Sequence, residues 1–447
     1  MKRVLHGGAE MEFSGQRVTV MGLGRHGGGV AAARWLAAQG AIVTVTDLAD
    51  ERALADSLTA LRGAAVARYQ WGGHRERDFR EADMVVVNPA VRPRDRWVEL
   101  AAAAGAKITS EIELFLNRCP GRVVGVTGSN GKSTTAAMTA AMLAADGRRV
   151  WLGGNIGRSL LGELESIGAD DWIVLELSSF QLHWLSAQAR LPEAAIVVNC
   201  TANHLDWHAS WPDYVAAKQR LLAEQVPGGV AVVNDRDPET ARWGSLVRGR
   251  LTKPWDDACI PPLGVPGDHN RTNAGGAAAA AEALGCAPQA IARALREFRG
   301  LPHRLELVAE IAGRKFYNDS MATTPESVVA AVNALGPRVW FLVGGYDKGV
   351  DYRAMIARLA GGARGAAFYG AVRDKLAELM SQQDGACLHE TRATLADALD
   401  WCWERSQPGD AIVLSPGCAS YDQFRDYRHR AQAFVEAARA LAARCNR

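Results

Sequence analysis

What this chain of 447 residues lacks narrows its function before any motif is considered. It has no charge excess: 51 Lys and Arg against 49 Asp and Glu leave a formal net charge of +2. A polycationic nucleic-acid binder needs a clear basic surplus to neutralise phosphates, so that class is excluded and no nucleic-acid partner is expected. It has no apolar run of about 20 residues, the length that crosses a bilayer core, so no membrane span or membrane partner is expected. Residues 1–13 carry basic side chains with no long apolar segment behind them, which is not the pattern of a secretory leader. Nor does it have a CxxC pair. The eight cysteines, at 119, 200, 259, 286, 387, 402, 418 and 445, are scattered. That spacing fits reduced thiols in a cytoplasmic protein and argues against a disulfide framework or a zinc site. No repeat of fixed period appears, and no low-complexity tract beyond local alanine enrichment.

What is present is ordinary in bulk and unusual in one respect. Hydrophobic residues are 48% and charged residues 22%, so buried cores are expected and global disorder is excluded. Glycine, at 45 residues, exceeds the usual share of about 7%. Much of it sits in clusters that follow strand-like runs. At about 150 residues per domain the chain should hold roughly three domains. Residues 17–47 read strand, glycine turn, Ala-rich helix, strand, a βαβ unit. ADMVVVNPAV reads as a further buried parallel strand ending in a Pro turn. From near Ile108, RVVGVTG, DWIVLELSS, AAIVVNC and GVAVVND alternate with helix-like stretches and predict a second covered, mostly parallel sheet. From near Leu301, RVWFLVGG, GAAFYG and DAIVLSPG predict a third. The fold class is therefore α/β in three domains, with expected boundaries 1–107, 108–300 and 301–447.

Two glycine loops could hold phosphate. Gly22, Gly24 and Gly27 form GxGxxG between a strand and a helix, and Asp47 ends the next strand. Glycines let the backbone approach a phosphate, and helix N-terminal amides point at it. The motif alone leaves two readings open: a dinucleotide site, as in an NAD-dependent dehydrogenase, or a tight turn without ligand. The second loop, GVTGSNGKSTT, is not a strict GxxxxGK[ST], yet it keeps the working parts. Gly128, Ser129, Asn130 and Gly131 offer backbone amides to a polyphosphate. Lys132 adds a positive charge, and Ser133 and Thr134 supply hydroxyls, Ser133 towards Mg2+. Glu176 ends the apolar strand WIVLEL, where a carboxylate is well placed to hold Mg2+, and is followed by Ser178 and Gln181. His204 and Asp206 follow another strand. Lys218 lies on an amphipathic helix, where a lysine is ordinarily solvated.

GVTGSNGKSTT, GGNIG, ELSSFQL, HLD, YVAAK, GDHNRTNA, LPHR, YNDSMATTPES and LSPGCASYDQF occur in this order. Together, and over essentially the whole chain, they resemble the Mur ligases of bacterial cell-wall synthesis. ELSSFQL and LSPGCASYDQF are most similar to the D-glutamate-adding (MurD) branch. The resemblance implies a Rossmann-like first domain for the UDP end of a sugar-peptide, a central P-loop-like ATPase domain, and a Rossmann-like third domain for the incoming amino acid. It implies an ATP- and Mg2+-dependent ligase that adds D-glutamate to UDP-N-acetylmuramoyl-L-alanine through an acyl phosphate, in a monomer. L-Glutamate remains the alternative.

Residue by residue, the resemblance turns the first loop into a UDP cradle. It places Gly24, Arg25, His26 and Asp47 there, with Asn155 in GGNIG and Ser178 and Gln181 also on the UDP substrate. Lys132, His204 and Lys218 become the candidate catalytic residues. Ser133, Glu176, His204 and a carbamate on Lys218 become the metal set. Asn270, Asn273, Arg304 and Asp319 are expected on ATP, and Thr323, Lys348, Ser420 and Tyr427 on glutamate. A cation is the natural partner of a dicarboxylic amino acid. Three sites depart from the family's pattern: Leu48-Ala49 after the acidic uracil residue, Ala202-Asn203 where Glu-Asp is usual, and Met321 where a lysine is common.

Overall fold

The computed structural model describes residues 12–24, 27–385 and 387–445. The chain divides into two compact units. The first comprises Met1–Ile260 with Thr272–Ala294, and the second Pro261–Arg271 with Leu295–Arg447.

The first unit carries two sheets. One is built from β1 (Arg17–Met21), β2 (Ile42–Thr46), β3 (Arg68–Gln70), β4 (Met84–Val87) and β5 (Lys107–Thr109), in the order β3-β2-β1-β4-β5. All its pairings are parallel. β5 crosses the boundary expected at 107, because Lys107, Ile108 and Thr109 pair with Met84, Val85 and Val86. The other sheet comprises β6 (Arg122–Thr127), β7 (Val150–Gly154), β8 (Trp172–Glu176), β9 (Ala194–Val197), β10 (Val230–Val233) and β11 (Arg250–Thr252). Its order is β11-β10-β9-β6-β8-β7, again all parallel. β8, β9 and β10 are buried along their whole length. That explains their continuous apolar runs: a parallel strand covered by helices on both faces has no solvent side to alternate with.

The second unit holds one sheet of β12 (Glu306–Ile311), β13 (Arg314–Asn318), β14 (Val339–Gly344), β15 (Gly365–Tyr369), β16 (Leu388–Arg392) and β17 (Ala411–Leu414), in the order β12-β13-β17-β14-β15-β16. The runs RVWFLVGG, GAAFYG and DAIVLSPG form its adjacent central strands β14, β15 and β17. β12 pairs antiparallel with β13 through a hairpin that the alternating strand–helix pattern does not announce. In each sheet the loops after the central strands open at their carboxyl ends, the place where open α/β sheets bind ligands.

The described cysteines 119, 200, 259, 286, 387, 402 and 418 are free thiols. Among the described residues no helix is long and apolar enough to cross a membrane.

Candidate active site

The loop after β6 is braced by the segment that follows β9 and by residues of the helices Trp211–Ala223 and Asp268–Ala283. Gly128 has φ +156° and Gly131, which caps the helix Lys132–Ala145, has φ +79°. A Cβ at Gly131 would collide with the side-chain amide of Asn273, so this position admits only glycine without rearrangement. The Asn199 side-chain oxygen accepts from the backbone amides of Ser129 (3.1 Å) and Asn130 (2.9 Å), and its amide donates to the Asn130 carbonyl (3.1 Å). Ser129 Oγ donates to the Thr201 carbonyl at 2.9 Å and lies 2.7 Å from the Tyr214 hydroxyl. Lys132 Nζ donates to the Ser129 carbonyl at 2.9 Å. The result is a turn preformed at a helix N-terminus and ended by a lysine, the kind of setting in which anions are commonly bound. Asn199 and Tyr214 went unassigned in the sequence, because a side chain that braces a loop from 70 residues away leaves no local signal.

Lys218 is not the solvated helix lysine that position suggests. It is 1% exposed, it donates to the Gly128 carbonyl at 2.7 Å, and its ammonium sits 4.6 Å from the Tyr214 ring centroid. Burial, helped by the charge of Lys132, pulls it down to about 7. Glu176 is 3% exposed and lies opposite Val126 across the β6–β8 pairing, two residues before the loop. Its Oε1 accepts from the Asn155 amide at 2.9 Å, while its Oε2 is buried with no hydrogen-bond partner. An ionised carboxylate oxygen left so is costly unless a cation meets it. His204 takes a left-handed backbone (φ 55°), and its amide donates to Asn203 Oδ1 at 2.9 Å. Burial, then the charge of Lys132, holds its imidazole below the usual range. Among the described residues no three His, Cys, Asp or Glu side chains group as a protein-only metal cage. The single buried carboxylate of Glu176, with one oxygen unpartnered, fits Mg2+, which commonly takes one or two carboxylates and completes its shell with water and substrate phosphates. Glu176, Ser133 and His204 could hold it.

The first sheet's glycine loop is equally braced. Asp47 accepts from the backbone amides of Gly24 (3.1 Å) and Ala49 (2.9 Å). Asn88 donates to the Gly22 carbonyl at 3.0 Å, and a Cβ at Gly22 would come within 2.7 Å of Asn88 Cβ. Arg25 and His26 lie outside the described residues. Ser178 and Gln181 close a capping box on the helix Ser179–His183: Ser178 Oγ accepts from the Gln181 amide and Gln181 Oε1 from the Ser178 amide. Those oxygens serve local structure.

The second unit gathers its own residues. Thr323, Lys348, Ser420 and Tyr427 line one cavity of about 230 Å³, together with Met321, Ala419 and Tyr421. Lys348 Nζ donates to the Thr323 carbonyl at 3.3 Å. Arg304 sits between two residues of positive φ, His303 (64°) and Leu305 (42°). Asp319, 7% exposed, accepts from the Leu305 amide (3.2 Å) and the Ser415 hydroxyl (2.8 Å). Burial pushes it up to about 7, with Arg304 among the opposing influences. Asn270, in this unit, donates to the Pro266 carbonyl at 2.7 Å, whereas Asn273, on the same helix Asp268–Ala283, belongs to the first unit and packs on Gly131.

Three α/β sheets carry a lysine-ended glycine loop on the second and a cavity lined in part by Lys348 on the third, and the family comparisons place this architecture among the ATP-dependent amide ligases. Residues 16–110 match the family described as Mur ligase MurD-like, N-terminal domain; residues 126–255 the Mur ligase middle domain; and residues 303–418 the Mur ligase, glutamate ligase domain. The chain belongs to the Mur ligase family. It is 36% identical over 464 residues to the UDP-N-acetylmuramoylalanine--D-glutamate ligase of Roseiflexus sp. (strain RS-1), covering 95% of this chain and 98% of that protein. It is 36% identical over 467 residues to the protein of that name from Geobacter metallireducens, covering 96% and 99%. Two solved structures share the fold. The UDP-N-acetylmuramate-alanine ligase MurC of Thermotoga maritima has TM-score 0.60 at 18% identity, covering 95% of this chain and 99% of that one. MurF of Acinetobacter baumannii has TM-score 0.59 at 17% identity, covering 94% of each. Family membership sets aside the dehydrogenase reading of Gly22–Gly27, since that loop lies inside the matched N-terminal domain.

Proposed function

We propose that this chain joins D-glutamate to the alanyl carboxylate of UDP-N-acetylmuramoyl-L-alanine at the expense of ATP, in peptidoglycan precursor synthesis. The observation that carries the reading is the Glu176 Oε2 atom, buried without a hydrogen-bond partner two residues from a preformed phosphate loop. The relatives, matched over nearly their whole length and named for D-glutamate addition, support this substrate pair.

The chain's residues divide the work. Gly128, Ser129, Asn130 and Gly131 offer backbone amides to the ATP phosphates, with Ser133 and Thr134 at the helix start and Lys132 as counter-charge. Asn270 and Asn273 are assigned to the adenine end of ATP, and Arg304 and Asp319 to ATP as well. Glu176, Ser133 and His204 would hold Mg2+. When bound, the metal neutralises charge on the transferring phosphoryl group. Lys218, drawn towards neutrality by burial, is the amine expected to take up CO2 as a carbamate and so become an oxygen donor. Gly24, Arg25, His26, Asp47 and Asn155 bind the UDP sugar-peptide. Ser178 and Gln181 shape that wall through their capping box. Thr323, Lys348, Ser420 and Tyr427 receive glutamate.

The alanyl carboxylate oxygen attacks the γ-phosphorus, and ADP leaves. The glutamate amine then attacks the acyl carbon, an amide forms, and phosphate leaves. Phosphoryl transfer asks mostly for positioning and charge neutralisation, which these groups supply. The enzyme is placed in the cytoplasm, where nucleotide substrates are made, and acts as a monomer.

The test is phosphate release from ATP with Mg2+, UDP-N-acetylmuramoyl-L-alanine and either enantiomer of glutamate. Release with D-glutamate is expected. Release with L-glutamate alone would transfer the assignment to the other enantiomer, consistent with Met321 in the cavity wall. Release with neither refutes the ligase.

A further inference from the structure

Two tryptophans tie the phosphate-loop sheet to the glycine-loop sheet, and nothing in the reaction scheme above uses them. Trp184 caps the C-terminal end of the helix Ser179–His183, and its indole N–H donates to the Val91 carbonyl at 3.1 Å. Trp207, three residues after His204, donates to the adjacent carbonyl, that of Ala90, also at 3.1 Å. Trp184 also packs against the apolar cluster of the first sheet, which contains Met21, Val85 and Val87. The clasp therefore rests on packing as well as on two hydrogen bonds.

Each end of the clasp leads to a functional wall. On one side, the turn 88–91 is fixed to the glycine loop. Asn88 donates to the Gly22 carbonyl at 3.0 Å, and its Oδ1 accepts from the Ala90 amide at 2.9 Å. On the other side, the Trp207 backbone amide donates to the His204 carbonyl at 3.1 Å. The Phe180 ring lies between them, 4.8 Å from the His204 ring and 4.6 Å from the Trp207 ring. An unbroken path of contacts thus runs from Gly22 through Asn88, Ala90 and Trp207 to His204.

We infer that Trp184 and Trp207 are positioning residues that hold the glycine loop at a fixed distance from His204, so that a sugar-peptide bound at one end presents its carboxylate at the other. The inference rests on the ligase reading. The substrate must reach from the UDP cradle to the phosphate loop, and a long ligand binds more tightly when the two ends of its site are already in register. Without the clasp, the ordering cost falls on the substrate itself. A ligand that fills only the UDP end is indifferent to it.

The test compares two probes, UDP alone and UDP-N-acetylmuramoyl-L-alanine, by calorimetry without ATP, on wild type, Trp184→Phe, Trp207→Phe and the double variant. Phe keeps ring bulk and removes the N–H donor. Each single variant should weaken the full substrate about fivefold, the scale of one lost hydrogen bond, and leave UDP within about twofold. The KM for ATP should stay unchanged while the KM for the sugar-peptide rises. Full-substrate affinity equal to wild type, or a parallel loss of UDP affinity, overturns the inference. Should Trp207→Phe fail to fold, Trp184→Phe decides alone. If wild type binds neither probe, the ligase reading fails and the clasp is not at fault.

Discussion

Lys218 Nζ donates to the carbonyl oxygen of Gly128 at 2.7 Å from a position that is 1% exposed. A buried amine is thereby bonded to the first residue of the phosphate loop; it feels the charges of Lys132 and Glu176, and its own charge helps lower His204. Replacing it with Met keeps the stem's packing but leaves the Gly128 carbonyl without this donor and removes the carbamate site. Turnover of Lys218→Met should fall by about 100-fold or more, the upper scale for losing a group that orients a metal site. Phosphate release within a few-fold of wild type would contradict the role.

Glu176 makes a separate prediction about metal. Its Oε1 is satisfied by Asn155 and its Oε2 is not satisfied by the protein. Glu176→Gln is nearly isosteric and removes the charge. The Mg2+ concentration for half-maximal activity should rise about 10- to 100-fold. A chelator should abolish turnover in wild type, with Mg2+ restoring it. An unchanged Mg2+ dependence in the variant would move the metal elsewhere.

Asn199 braces the loop by accepting from two successive backbone amides, at 3.1 and 2.9 Å. Asn199→Leu also removes its bond to the Asn130 carbonyl; it should loosen the loop and raise the KM for ATP about tenfold or more, at roughly 1 kcal/mol for each of the three hydrogen bonds with partial compensation by water. A lower KM in the variant would mean that Asn199 competes with phosphate for those amides and does not preform the site.

Asp319 sets a pH dependence. An ordinary aspartate titrates near 4, whereas burial pushes this one up to about 7. Between those values the folded state holds a proton that the unfolded state has released, so stability falls as pH rises through that window. Asp319→Asn cannot ionise; its one carbonyl oxygen still accepts from the Leu305 amide, and its NH2 donates to the Ser415 hydroxyl, which rotates to accept. Its stability relative to wild type should therefore grow from about pH 4 to about pH 7 and level off above. Urea midpoints of both proteins across that range check it, and a flat or shrinking difference would contradict it.

The sequence made legible whatever is local. The apolar runs marked the central strands, and Gly22, Gly128, Gly131 and Lys132 marked the loops, because loop geometry demands those residues at those spacings. Asn155, Asp319 and Lys348 came only from resemblance to a family, since a lone polar residue at a strand end looks like any other. Edge strands such as Arg250–Thr252 and Leu388–Arg392 carry half-exposed polar residues and gave no apolar run. The braces were illegible for a different reason. Asn199 reaches back 70 residues to Ser129, and Trp207 reaches 117 residues to Ala90. Lys218 was ambiguous because helical spacing cannot say that the face it occupies is buried beneath the loop.

The central claim is that the alanyl carboxylate is phosphorylated before the amide forms. It is tested most directly by supplying UDP-N-acetylmuramoyl-L-alanine labelled with oxygen-18 in that carboxylate, with ATP, Mg2+ and D-glutamate, and measuring the released phosphate by mass spectrometry. The account predicts one labelled oxygen in each phosphate formed, in step with amide product. Product accompanied by unlabelled phosphate would contradict it.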